Sequence, residues 1–127
     1  MRIKLNSIFV EDQVQALKFY IEVLGFIKKT DIPIGEFRWL TVVSPEEQNG
    51  TELVLEPNNN PSAKIFQKEI FEQGIPATSF AVDNIYEEYE RLRTAGIIFT
   101  MEPTELGGTI LTVFDDTCGN LIQIYQN

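Results

Sequence analysis

The order of apolar and polar positions divides the chain into two halves that read alike. Ile3 to Val10 alternates loosely and is rich in β-forming residues, which predicts a strand. Asp12 follows as a helix N-cap, and Gln15 three residues later completes a capping-box pattern. Val14, Leu17, Tyr20, Val23 and Leu24 then recur at helical spacing, and Gly25 supplies a left-handed stop. Strands are predicted from Phe26 to Thr30, Phe37 to Val43 and Glu52 to Glu56, with a polar turn from Pro45 to Gly50.

The second half repeats the order. Pro76 to Val82 predicts a strand, and Asp83 or Asn84 caps a helix that turns Tyr86, Tyr89 and Leu92 inward and ends at Gly96. Ile97 to Met101, Thr109 to Phe114 and Asn120 to Tyr125 predict strands, the last two joined by a turn over Asp115 to Gly119. Val10-Glu11-Asp12 matches Val82-Asp83-Asn84, Leu24-Gly25-Phe26 matches Ala95-Gly96-Ile97, and Leu40-Thr41-Val42-Val43 matches Leu111-Thr112-Val113-Phe114. Three matches in order, at offsets of 72, 71 and 71, read as a duplicated βαβββ module. Pro57-Asn58-Asn59-Asn60-Pro61 breaks both periods. Asn60 can cap a connector helix with Pro61 in its first turn, its stripe of Ile65, Phe66 and Ile70 covering a sheet. The expected organisation is α+β: one domain over 1–127, with module one at 1–57, a connector helix at about 60–74 and module two at 75–127.

Composition narrows the chemistry. A chain of 127 residues can bury a core without disulfides or metals, and its one cysteine, Cys118, cannot form an intrachain disulfide. No apolar run is long enough to cross a bilayer, and the N-terminus lacks a secretory signal pattern, so a cytoplasmic location is expected. The formal net charge of −9 argues against nucleic acid as a partner. It is compatible with a cationic ligand, although solubility alone accounts for it. Histidine is absent, so any catalysis must use carboxylates, Tyr, Lys, Cys118 or backbone groups. Cys118, in a turn without a basic neighbour, reads as structural.

Val10-Glu11-Asp12 leading into Ala16-Leu17-Lys18-Phe19-Tyr20, then Leu24-Gly25-Phe26, and the closing run from Asp115 to Ile124 together resemble the glyoxalase/bleomycin-resistance/extradiol-dioxygenase superfamily, the vicinal-oxygen-chelate proteins. The resemblance spans nearly the whole chain. It implies two tandem modules whose curved mixed sheets surround a cup, and it implies frequent homodimerisation. In metal-dependent members, residues on the first and last strands of each module hold a divalent ion that acts as a Lewis acid. Antibiotic-sequestering members use the same cup without a metal.

Carried onto this chain, the four ligand positions fall at Leu5, at Val54 or Glu56, at Ala77 and at Gln123. Leu5 and Ala77 cannot ligate, so only Glu56 and Gln123 remain as candidates for a weakly held ion. Strand alternation then lines the cup with Leu5, Ser7, Phe9, Val54 and Glu56 from module one and Ala77, Ser79, Gln123 and Tyr125 from module two, with Trp39 and Thr41 beside them. The expected function is metal-free binding of a small molecule, with antibiotic sequestration as one form of it and with no cofactor. The alternative is a lyase- or isomerase-type enzyme in which Glu56, as the candidate catalytic residue, acts with Gln123.

Overall fold

The computed structural model describes residues 1–127. The chain divides into two compact units, Met1–Ile65 and Phe66–Asn127. The first holds β1 (Leu5–Val10), α1 (Gln13–Lys18), β2 (Ile27–Ile34), β3 (Phe37–Val43) and β4 (Glu52–Pro57). Helix α2 (Pro61–Glu72) crosses the boundary. The second holds β5 (Thr78–Ala81), α3 (Ile85–Thr94), β6 (Thr104–Leu106), β7 (Thr109–Asp115) and β8 (Leu121–Gln126). Each unit forms one open mixed sheet, ordered β1-β4-β3-β2 in the first and β5-β8-β7-β6 in the second. In each, the first strand runs parallel to the last and the other pairings are antiparallel. No helix is long and apolar enough to cross a membrane.

Helix α1 starts as its sequence dictates. The Asp12 carboxylate accepts from the N–H groups of Val14 and Gln15 at 2.8 and 3.0 Å. Its buried face differs from the predicted one. Val14 is 68% exposed, whereas Gln13, Ala16, Phe19 and Tyr20 are buried. Gln13 turns inward because its amide satisfies three backbone groups. Its Nε2 donates to the carbonyls of Arg38 and Leu55 at 2.7 and 2.8 Å, and its Oε1 accepts from the Arg38 N–H at 3.0 Å. A buried polar side chain that is fully bonded costs little and pins the helix to β3 and β4.

After Lys18 the helix widens into a π-turn over Phe19–Val23, where the Leu24 N–H donates to the Phe19 carbonyl. The turn adds one residue. The capping residues Asp12 and Asn84 are therefore 72 apart, while the left-handed Gly25 and Gly96 are 71 apart. Asn84 rather than Asp83 caps α3, accepting from the Glu87 N–H at 3.2 Å. Helix α3 buries Ile85 and Leu92, half-buries Tyr89, and leaves Tyr86 57% exposed, contrary to the predicted inward set. Tyr89 packs on Phe99, and Phe99 on Phe114.

Two further expectations are corrected. Ile97 to Met101 is not a strand. Phe99 makes one isolated bridge to Phe114, and the sheet edge resumes only at Thr104, after Pro103, which has no N–H to donate. The connector helix does not bury Ile65 and Phe66, which are more than half exposed. It buries Ala63 and Gln67 instead, and the Gln67 amide donates to the Cys118 carbonyl and to Asn120 Oδ1. Asn120 in turn donates through Nδ2 to the buried Asp116, whose other oxygen caps the N–H groups of Cys118 and Asn120. The Asp115–Gly119 turn is thus held by its own side chains and by α2.

Asp31 and Arg38, on the neighbouring strands β2 and β3, have clearly displaced titration. The Arg38 Nε donates to Asp31 Oδ1 at 2.8 Å, and the second guanidinium bond goes to Oδ2. Hydrogen bonding by Arg38 holds the Asp31 carboxyl at about 2, against an ordinary 3.8, and the pairing raises Arg38. Arg38 is therefore already committed to a carboxylate within its own sheet.

Three outcomes follow. Gln13→Ala strips partners from three backbone groups and lowers unfolding free energy by about 3 kcal/mol in urea titrations. Thr117 is the one non-glycine residue with positive φ, at 62°. Because it is β-branched, Thr117→Asn raises stability by roughly 1 kcal/mol, read as a higher melting temperature. Asp31 has a depressed folded-state value, so its stabilisation is present above pH 3.8 and is lost as pH falls through about 2. NMR titration of Arg38→Ala should return the Asp31 carboxyl to its ordinary range.

Candidate functional site

The parallel pair in each unit decides which side chains share a face. Between β1 and β4, Leu5 stands opposite Glu52, Ser7 opposite Val54, and Phe9 opposite Glu56. Thr41 of β3 also pairs with Val54, and alternation puts Trp39 on the same side. All seven residues expected from the first half, Leu5, Ser7, Phe9, Trp39, Thr41, Val54 and Glu56, thus lie on one face of the first sheet. The opposite face carries Ile8, Val10, Leu40, Val42 and Leu55, all buried on the side where α1 docks through Gln13.

The second sheet follows the same rule. Ser79 stands opposite Gln123, and Ala81 opposite Tyr125. Val113 and Leu111 of β7 pair with those same two β8 residues and share their face. Ala77 immediately precedes β5, is exposed, and donates its N–H to the Leu121 carbonyl. On the reverse face Phe114, Ile122 and Ile124 are buried on the side of α3.

Pairing also gives Gln123 a counterpart in the first sheet. Val54 lies between Ser7 and Thr41 as Gln123 lies between Ser79 and Val113, so Val54, not Glu56, is the counterpart of Gln123. Thr41 accordingly corresponds to Val113. The match of Leu40-Thr41-Val42-Val43 to Leu111-Thr112-Val113-Phe114 is one residue out of structural register. Thr112 lies on the helix side, its hydroxyl donating to the Met101 carbonyl at 2.6 Å.

These placements test the donor set for a divalent ion. The four corresponding positions carry Leu5, Val54, Ala77 and Gln123. Three have no donor atom, and the fourth has one neutral amide oxygen. Gln123 Nε2 donates to the Ser79 hydroxyl at 2.9 Å. No group of three or more Cys, Asp or Glu side chains stands close enough to hold an ion. The residues present do not fit the family's metal site, where three protein ligands are the usual minimum.

What the faces offer instead is apolar area with isolated polar handles. Leu5 is about half exposed, and Phe9, Trp39, Leu111 and Tyr125 are half-buried. The polar pairs are Ser79–Gln123 on the second sheet and Thr41–Glu52 on the first, the latter at 2.7 Å. Glu52 was not among the expected residues, although counting back two from Val54 along the strand finds it. Cys118 is buried in the closing turn.

Comparison with known proteins agrees with this geometry. Residues 2–124 match the model of the Glyoxalase/Bleomycin resistance protein/Dioxygenase superfamily. The chain is 60% identical to the uncharacterized protein YurT of Bacillus subtilis (strain 168), over 99% of each chain. Its fold is similar to the crystal structure of UcmS2, with a TM-score of 0.84 and 35% identity over 98% of this chain and 97% of that one. It is also similar to TnmS3, an antibiotic binding protein from Streptomyces sp. CB03234, with a TM-score of 0.78 and 26% identity over 99% and 95% of the two chains. The chain therefore belongs to the glyoxalase/bleomycin resistance protein/dioxygenase superfamily.

Proposed function

We propose that this protein binds a small, largely apolar molecule without the help of a metal ion, and that antibiotics are the ligand class to try first. The observation that carries the reading is the aliphatic identity of Leu5, Val54 and Ala77 at three of the four positions where metal-dependent relatives need donors. A Lewis-acid mechanism has to hold its ion through the reaction, and one amide oxygen cannot do that. A binding site needs much less: an apolar wall and a few polar groups that fix orientation. Leu5, Ser7, Phe9, Trp39, Thr41, Val54 and Glu56 on one sheet face, and Ala77, Ser79, Gln123 and Tyr125 on the other, have that make-up. Likeness to TnmS3, an antibiotic binding protein, supports the same class. The enzymatic alternative through Glu56 and Gln123 gains nothing from the register, which equates Gln123 with Val54.

Protein purified without chelator should hold less than about 0.1 equivalent of any transition metal by mass spectrometry, because structural and catalytic sites bind their ions tightly enough to survive purification. A thermal-shift screen over antibiotics, thiol adducts and aromatic acids should give at least one ligand that raises the melting temperature by roughly 5 °C or more at a hundredfold excess over its Kd. A stoichiometric divalent ion, or turnover of a thiol adduct that is abolished by chelator, would sink this reading.

A further inference from the structure

We propose that Glu52, steadied by Thr41 on the first sheet, selects ligands that carry a protonated amine on an aromatic body. The inference rests on the binding reading above and adds a ligand class to it. Glu52 is the β4 residue beside Leu5, on the face that also carries Ser7, Val54 and Trp39. Its side chain is half-buried. The Thr41 hydroxyl, fully buried, donates to Oε1 at 2.7 Å and fixes the orientation of the carboxylate. Nothing else bonds to it. The ion pairs of the structure use Asp31, Glu72, Glu88 and Glu90, and no lysine or arginine lies within pairing distance of Glu52.

A carboxylate offers about four acceptor sites, and here one neutral donor fills one of them. Withdrawing such a group from water without a counter-charge is unfavourable, so an incoming cation gains more here than at a fully solvated carboxylate. The polar pair of the second sheet, Ser79–Gln123, is neutral, and the carboxylate on the same face, Asp115, accepts from the Thr117 N–H within its own turn. The net charge of −9 adds a long-range attraction for cations. Phe9 and Trp39, half-buried on the same face, favour a flat ring system next to the ammonium.

The test uses daunorubicin, whose flat aromatic body carries one primary ammonium, and N-acetyldaunorubicin, which keeps the body and loses the charge. Calorimetric titration of the wild-type chain should show the amine bound roughly tenfold or more tightly than its acetylated form, the usual scale for a charge-assisted hydrogen bond. Glu52→Gln keeps an oxygen that can accept from Thr41 and should bring the two affinities within about twofold of each other. Glu36→Gln, which removes an exposed charge from the β2–β3 turn, should keep the preference. Thr41→Val should weaken it by freeing the carboxylate, with an unchanged circular dichroism spectrum. Equal affinities in the wild type, or a preference that survives Glu52→Gln, would overturn the role of Glu52 and leave the binding reading intact. If neither compound binds, the proposed ligand class is wrong, while the binding reading is decided by its own wider screen.

Discussion

The constraint on which everything else depends is the parallel pairing of the first strand with the last in each unit. Backbone hydrogen bonds lock Ser7 beside Val54 and Ser79 beside Gln123, and side chains then alternate between the two faces. A slip of one residue would send Val10, Leu55 and Ile122 to the wetter face and bring Ser7, Glu52 and Gln123 under the helices. The apolar core on the helix side therefore makes the register expensive to change. What stands on the other face follows from it.

That arrangement separates the demands of the core from those of the opposite face. The core of each unit needs only its helix-side residues. The opposite face is under no such demand, and in this chain it carries aliphatic, aromatic and small side chains with two hydrogen-bonded polar pairs. Gln13 and Asp116 do the reverse work. Each is a buried polar group with several partners, and each fixes a loop or helix where apolar packing alone would leave its angle loose. Gln67 joins α2 to the Asp116 turn in the same way. The Asp116 turn held in this way leads directly into the last strand, which carries Gln123.

Much of the fold was legible because its signals are local. Asp12 as a cap, Gly25 and Gly96 as stops, the alternation in β1 and the closing turn all come from preferences within a few residues of one another. The errors arise where contacts between distant residues override the local pattern. Periodicity places Val14 and Tyr86 inward, but in α1 Gln13 takes the inward position by bonding to Arg38 and Leu55, partners distant in sequence, and in α3 the buried residue is Ile85. The apolar run from Ile97 to Met101 looked like a strand, and its backbone met β7 at only one bridge. Ile65 and Phe66 suggested a buried stripe where α2 buries Ala63 and Gln67.

By itself the sequence determined the duplicated βαβββ plan, the superfamily, and the lack of donors at Leu5 and Ala77, since each needs only residue identity and spacing. The tertiary structure decided which residue matches Gln123, because that equivalence is made by hydrogen bonds between strands more than forty positions apart. It also showed why the two halves change offset: a π-turn in the first helix holds one extra residue, a feature of backbone bonding that leaves no mark in composition. Finally, it brought Glu52 to Thr41. Their contact depends on the β3–β4 register, which is set by pairing between the strands and not by the spacing of the two residues along the chain.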